Sequence, residues 1–290
     1  MRSFAYLMAV GLMALPSVAA AQTATGALTL NLAQHEEEGM TFAAIGFDGI
    51  VNAKMNDVVN LNARGNVVNL DGDVTLSHLS FGLSRRVSDS GWAGVFIDRS
   101  DASIDFGIGT LSGGFTSLGI EGGVKSGALD LGVFIGTDGD MTSYGLAAKF
   151  TQSSTYQLGA SLMRSQIDDF DESVGLNFAG IAGVTALNKD LLLFTGLGHS
   201  SLSALDLKGT TFGMGLSYNL GGEGGYSALS LEVSHSNASF FDVDGSGTTI
   251  RLGLTIPFGG TRGFVPQNSV AGAILNPTHN ALSQTILTQY

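Results

Sequence analysis

Few side chains in this sequence are spaced to do chemistry, and the best placed are His199 and Ser201. In an extended strand, residues two apart share a face, so the imidazole can take the hydroxyl proton and make the oxygen a nucleophile. The run His235-Ser236-Asn237-Ala238 also joins His to Ser, but adjacency puts the two on opposite faces. Neither place has a clear orienting carboxylate or amide on a neighbouring strand. A His and a Ser two apart recur by chance in a Ser-rich chain, so catalysis ranks below transport or a structural role.

Other chemistry is weaker still. Asp242-Val243-Asp244-Gly245-Ser246-Gly247 opens like a calcium loop, but the position that needs a bidentate Glu is Gly253. Gly221-Gly222-Glu223-Gly224-Gly225 lacks the Lys and the following helix of a phosphate cradle, and reads as a turn. There is no cysteine, which excludes thiolate metal sites, disulfides and a lipid-anchored N-terminus. No metal and no cofactor is expected.

The elements that carry these residues are strands. Phe212, Met214, Leu216, Tyr218 and Leu220 alternate with Thr211, Gly213, Gly215, Ser217 and Asn219. Residues 249–258 repeat the pattern, and 129–135, 144–150 and 156–162 follow it. A soluble sandwich would carry charged and long polar side chains on its second face. Here that face is mostly Gly, Ser, Thr and Asn, which suits a confined interior. Charged residues are only 13% of the chain, Gly is 42 of 290 residues, Pro is 4, and mean hydropathy is +0.26. No apolar run beyond the first residues approaches the ~20 needed for a spanning helix. Two near-repeats, Val58-Val59-Asn60-Leu61 and Val67-Val68-Asn69-Leu70, are too few for a solenoid.

Residues 1–21 read as a secretory leader: Arg2, the apolar stretch Phe4 to Leu15, Pro16, and Ala19-Ala20-Ala21 before Gln22. Without Arg2 the chain keeps 12 basic against 25 acidic residues, a balance that argues against nucleic acid.

Together these features predict an all-β fold, a closed antiparallel transmembrane β-barrel of about twelve strands, with fourteen as the alternative, and short N- and C-terminal extensions. The expected strands are 74–87, 91–99, 102–110, 114–125, 128–137, 141–151, 155–166, 173–188, 190–200, 208–220, 226–237 and 247–258. The barrel then occupies 73–258. Residues 22–72 form a pre-barrel segment that is periplasmic, a plug or an extra strand pair, and 259–290 form a periplasmic or lumen-tucked tail. Strand parity turns Arg86, Asp105, Glu121, Lys125, Asp130, Lys149, Glu232 and Arg251 inward, and the many inward glycines favour a passage. The connections should alternate between long outer loops, such as 238–246, and short inner turns. Tyr144, Phe150, Tyr156 and Phe258 fall near strand ends on outward parity, where interfacial aromatics sit.

Over roughly 74–258 the chain resembles the outer-membrane β-barrel and porin-like families. Its final strand looks like their terminal signal, with Ile250, Leu252, Leu254, Ile256 and Phe258 alternating up to an aromatic. The departure is that residues 259–290 follow Phe258. The resemblance implies location in the cell outer membrane, contact with its lipid and lipopolysaccharide, and recognition by the barrel-assembly machinery. It also implies a porin-like channel for passive diffusion of small polar solutes. A homo-oligomer is compatible with it, although no trimer face is visible. Some outer-membrane lipases and lipid A deacylases place a His and a Ser two apart on the lipid side near the outer leaflet, which makes His199 and Ser201 the candidates for that alternative. A non-catalytic structural or adhesive barrel is the third. Arg85 and Arg164, near expected outer ends, are candidates for lipopolysaccharide phosphates.

Overall fold

The computed structural model describes residues 23–37, 39–105, 110–153, 156–167, 174–202, 207–221, 227–240, 243–259 and 265–289; the expected leader lies outside them. Fourteen strands follow one another in chain order. They are β1 (Thr23–Glu37), β2 (Met40–Lys54), β3 (Val59–Leu70), β4 (Val74–Arg86), β5 (Gly91–Asp105), β6 (Thr110–Ser126) and β7 (Leu129–Thr137). The second half comprises β8 (Met141–Ser153), β9 (Tyr156–Ile167), β10 (Val174–Ala186), β11 (Leu191–Leu202), β12 (Leu207–Asn219), β13 (Ala228–Phe240) and β14 (Val243–Phe258). Each pairs antiparallel with the next, and β14 returns to β1 from Gly26↔Phe258 to Glu37↔Gly247, closing the barrel. Closure gives every strand two neighbours and leaves no edge along the apolar band.

The count is therefore fourteen, the alternative expectation. The three added strands, β1 to β3, come from the region expected to precede the barrel, which begins at Thr23. The expected strands 91–99 and 102–110 are instead one strand, β5. Asp98-Arg99-Ser100-Asp101 looks like a turn in sequence, but the strand continues through it. Asp98 and Ser100 point into the lumen while Arg99 and Asp101 bond to each other outside at 2.6 Å.

Outside, the alternation holds as the physics requires. Leu28, Leu30, Leu32, Phe212, Met214, Leu216, Ile250, Leu252 and Ile256 are all exposed, whereas their inward neighbours are buried. Phe150, Tyr156 and Tyr218 stand at the terminus-bearing end of the barrel, where β1 begins and β14 ends, and Tyr144 is nearer the opposite end. No described helix is long and apolar enough to cross a membrane.

The expected alternation of loop lengths is absent. Connections at the terminus-bearing end run from two to eight residues, and those at the far end from two to six. Within the expected loop 238–246 the described residues are paired strands: Asn237 pairs with Ser246 and Ser239 with Asp244. Polar residues there mark a hairpin projecting beyond the apolar band. The rim also has a step. β7 covers β6 only over Leu118–Ser126, so Thr110–Ser117 have β5 on one side and no β7 partner on the other.

Two helices follow the barrel: α1 (Val270–Leu275) and α2 (Ala281–Gln289). Both lie inside it.

Candidate functional site

The lumen is the candidate site, and its wall is two-sided. On β9 to β11 the inward side chains are mostly apolar, with Ser161 and Ser165 of β9 the buried polar ones: Met163, Phe178, Ala182, Val184 and Phe194 form one cluster with Val270, Ala271, Ile274 and Leu275 of α1 and with Ala281. Facing them across the lumen, from β13 through β14 and β1 to β6, the buried inward residues include Glu232, Arg251, Asn31, Asp48, Arg64, His78 and Asp98.

The inward glycines were expected to favour a passage; on β9 to β12 they make room for α1 instead. A Cβ at Gly159 would stand 2.7 Å from Leu275, at Gly180 2.8 Å from Ile274, at Gly196 2.8 Å from the Ala271 nitrogen, and at Gly213 2.7 Å from Val270. Of the two places expected for the tail, the lumen is the one observed.

Polar contacts fasten the segment to the opposite wall. Ser269 caps α1, its hydroxyl accepting from the Gly272 N–H at 2.9 Å. The Val270 N–H donates to Glu232 Oε1 at 3.0 Å, and Glu232 is ion-paired with Arg251. Arg64 donates to the Asn276 carbonyl. His279 reaches Asp98 through Nδ1 at 3.0 Å and Glu121 through Nε2 at 3.4 Å. Ser283 and Ser100 share a hydroxyl hydrogen bond of 2.6 Å, and the Ala281 N–H donates to Ser165 at 2.9 Å. Contacts thus come from β3, β5, β6, β9 and β13.

Of the expected lumen residues, Glu121, Glu232 and Arg251 meet the segment or its partners. Lys125 stands opposite Asp130, and Asp130 opposite Lys149, as a separate group on the inner face toward the terminus-bearing end. Arg86 ends β4 at that same mouth, inward by parity but exposed. Asp105 does not line the lumen. Asp98 and Ser100 face inward, so the odd-numbered Asp105 has outward parity; splitting β5 in two had reversed it. Arg85 also sits at the terminus-bearing end, away from the outer position expected for it, whereas Arg164 lies toward the far end. Ile250, Leu252, Leu254 and Ile256 face outward on β14, the strand that closes the barrel on β1.

The sequence reading missed Asp48, Arg64, His78, Asp98 and His279. Asp48 and Arg64 lie on strands assigned to the pre-barrel segment, and Asp98 in the weakly alternating stretch read as two strands, whereas His78 lies on a strand correctly expected. His279 stands in a tail with no strand parity to orient it.

His199 and Ser201 do share the outward face of β11, but His199 bonds Thr210 at 2.9 Å and Ser201 accepts from Asn177 at 3.4 Å. The same pairing recurs around the wall: His35 with Thr249, His78 with Ser100 and His235 with Thr248, each through Nδ1 to the residue directly across the ladder. A histidine facing a cross-strand hydroxyl is thus a repeated element of this wall, without any specific link to Ser201. Among the described residues no cluster of His, Asp or Glu could hold a metal ion.

No protein-family model and no curated protein sequence matches the chain. Solved structures do. A FadL homologue from Pseudomonas aeruginosa is 12% identical, with 83% of this chain and 91% of that one covered and a TM-score of 0.52. The CymD monoaromatic hydrocarbon channel is 10% identical, covering 83% and 90%, with a TM-score of 0.51. A deletion mutant of the TodX monoaromatic hydrocarbon channel is 11% identical, covering 82% and 90%, with a TM-score of 0.53. At such identity what is shared is the fold. The chain is a closed fourteen-stranded β-barrel of the outer-membrane type.

Proposed function

We propose that the protein is an outer-membrane channel for passive diffusion of small polar solutes, closed here by its own C-terminal segment. The observation that carries this reading is the two-sided lumen. One half of the wall grips α1 through apolar contact, while the other presents compensated charges and amides to the segment. Withdrawal of the segment would leave a polar half-wall along the barrel axis. Outer-membrane lipid meets the apolar band, and Arg164 near the far end is the candidate contact for a lipopolysaccharide phosphate.

The chain has no cysteine, so the test is clean. Ser100 and Ser283 are in hydrogen-bond contact at 2.6 Å, and Cys at both positions would tie the segment to the wall. Liposome swelling and single-channel conductance of the full chain are expected to show intermittent permeation that the disulfide abolishes and a reductant restores. Lack of permeation in the reduced and unmodified chains would overturn the reading. It would favour a permanently closed structural barrel, for which the close packing of α1 against the inward glycines speaks.

A further inference from the structure

The segment does not fill the lumen everywhere. Between α2 and the inner wall of β3 to β6 lies a cavity of about 240 Å³. Leu76, Ala102 and Phe115 line it from the wall, and Leu282, Ile286 and Leu287 from α2. Leu282 is 41% exposed, inside a barrel whose other helix is sealed from end to end. Such surface gains from cover by an apolar partner.

Most polar groups on the lining are already engaged; His78 Nε2 makes no hydrogen bond but is buried, 3.9 Å from Asp98. Asn66 donates to Asp48 at 2.6 Å, His78 bonds Ser100 at 2.9 Å, and Ser100 bonds Ser283 at 2.6 Å. Asp101 is held by Arg99 at 2.6 Å. A charged or strongly hydrogen-bonding ligand would find no counterpart. The cavity also borders the stretch of β6 that no β7 residue covers, and a Cβ at Gly113 there would meet nothing within 4 Å.

We propose that this cavity is a binding site for a small, neutral, apolar molecule, the size of one substituted aromatic ring. An apolar cavity of ~150 Å³ is enough to stay dry and bind benzene. This one is larger, and its lining is almost wholly apolar. Its occupant stands between α2 and the wall, bearing on the segment that closes the lumen. The inference goes beyond the channel reading, because binding is measurable in the closed barrel whether or not it conducts.

The test uses bromobenzene as the probe on the full chain. Crystals equilibrated with it are expected to show a bromine anomalous peak between Phe115 and Leu282. Ligand-observed NMR with fluorobenzene, on protein held in amphipol, is expected to give saturable binding. Leu282→Trp, which fills the cavity, should weaken it at least fivefold, and Ala102→Leu serves if that variant does not fold. An empty cavity in the soaked crystals would overturn the proposal, as would equal signals from the parent and filled chains, which would mean partition into the amphipol. Continuous density for an acyl chain would also overturn it, assigning the cavity to the surrounding lipid.

Discussion

His279 lies flat against Phe96, with ring centroids 3.7 Å apart and planes 12° from parallel, while Phe134 meets its edge at 5.2 Å. Asp98 and Glu121 take its two nitrogens. A cationic ring on an aromatic face with a carboxylate at each end fastens the segment to β5 and β6.

Burial alone would lower the basicity of His279, but hydrogen bonds to Asp98 and Glu121 overcome it and push the pKa from 6.5 up to about 9. A group raised on folding stabilises in full below its unfolded pKa, and the contribution fades as pH rises through the folded one. Its ceiling is on the order of 3 kcal/mol. Thermal unfolding of the parent chain should therefore weaken between pH 7 and pH 10. His279→Gln should melt lower at pH 7 and lose that dependence. An unchanged slope in the variant would remove His279 from this role.

Glu232 serves Arg251 and the first N–H of α1 together. Glu232→Leu leaves a buried guanidinium without its partner, and urea titration should show a loss of about 3–5 kcal/mol. Adding Arg251→Met should recover most of it. Failure to recover would show that the carboxylate acts through α1 and not through the ion pair.

Gly196 and Gly113 make a matched comparison. Gly196→Ala drives a Cβ against the backbone of α1 and should cost about 1–3 kcal/mol, with faster proteolysis within 265–289. Gly113→Ala meets open space and should stay within roughly 0.5 kcal/mol of the parent.

Leu252 faces outward on the closing strand. Leu252→Arg should reduce stability in bilayers by ~2–4 kcal/mol, the depth-dependent cost of a charge on the lipid face. A change of less than ~0.5 kcal/mol would place this position outside the hydrocarbon.

His199→Ala should leave any lipid-hydrolysing activity of purified protein untouched, since the ring is occupied with Thr210. Activity lost in this variant and in Ser201→Ala would reinstate the pair.

What was readable from the sequence follows from where side chains point. β12 and β14 announce themselves because lipid demands apolar residues on one side and the crowded lumen demands small ones on the other. β3 hides because Val67 and Val68 are both buried, so its alternation lapses where the two faces are equally dry. β5 hides because an outward ion pair, Arg99 with Asp101, imitates a turn. The lumen's charged residues were partly legible by parity, as Glu121, Glu232 and Arg251 show. Their partners were not, because Val270 and His279 come from a tail with no strand period. The inward glycines were visible, but their meaning depended on knowing what fills the space.

The occupant of the lumen follows β14, so it is made after all fourteen strands and docks only against strands already made. Both ends of β14's pairing with β13 and β1 must form before there is an enclosure to enter. The order of synthesis therefore lets the cylinder close before its occupant seats, and the rate of seating sets how long the lumen stays unfilled.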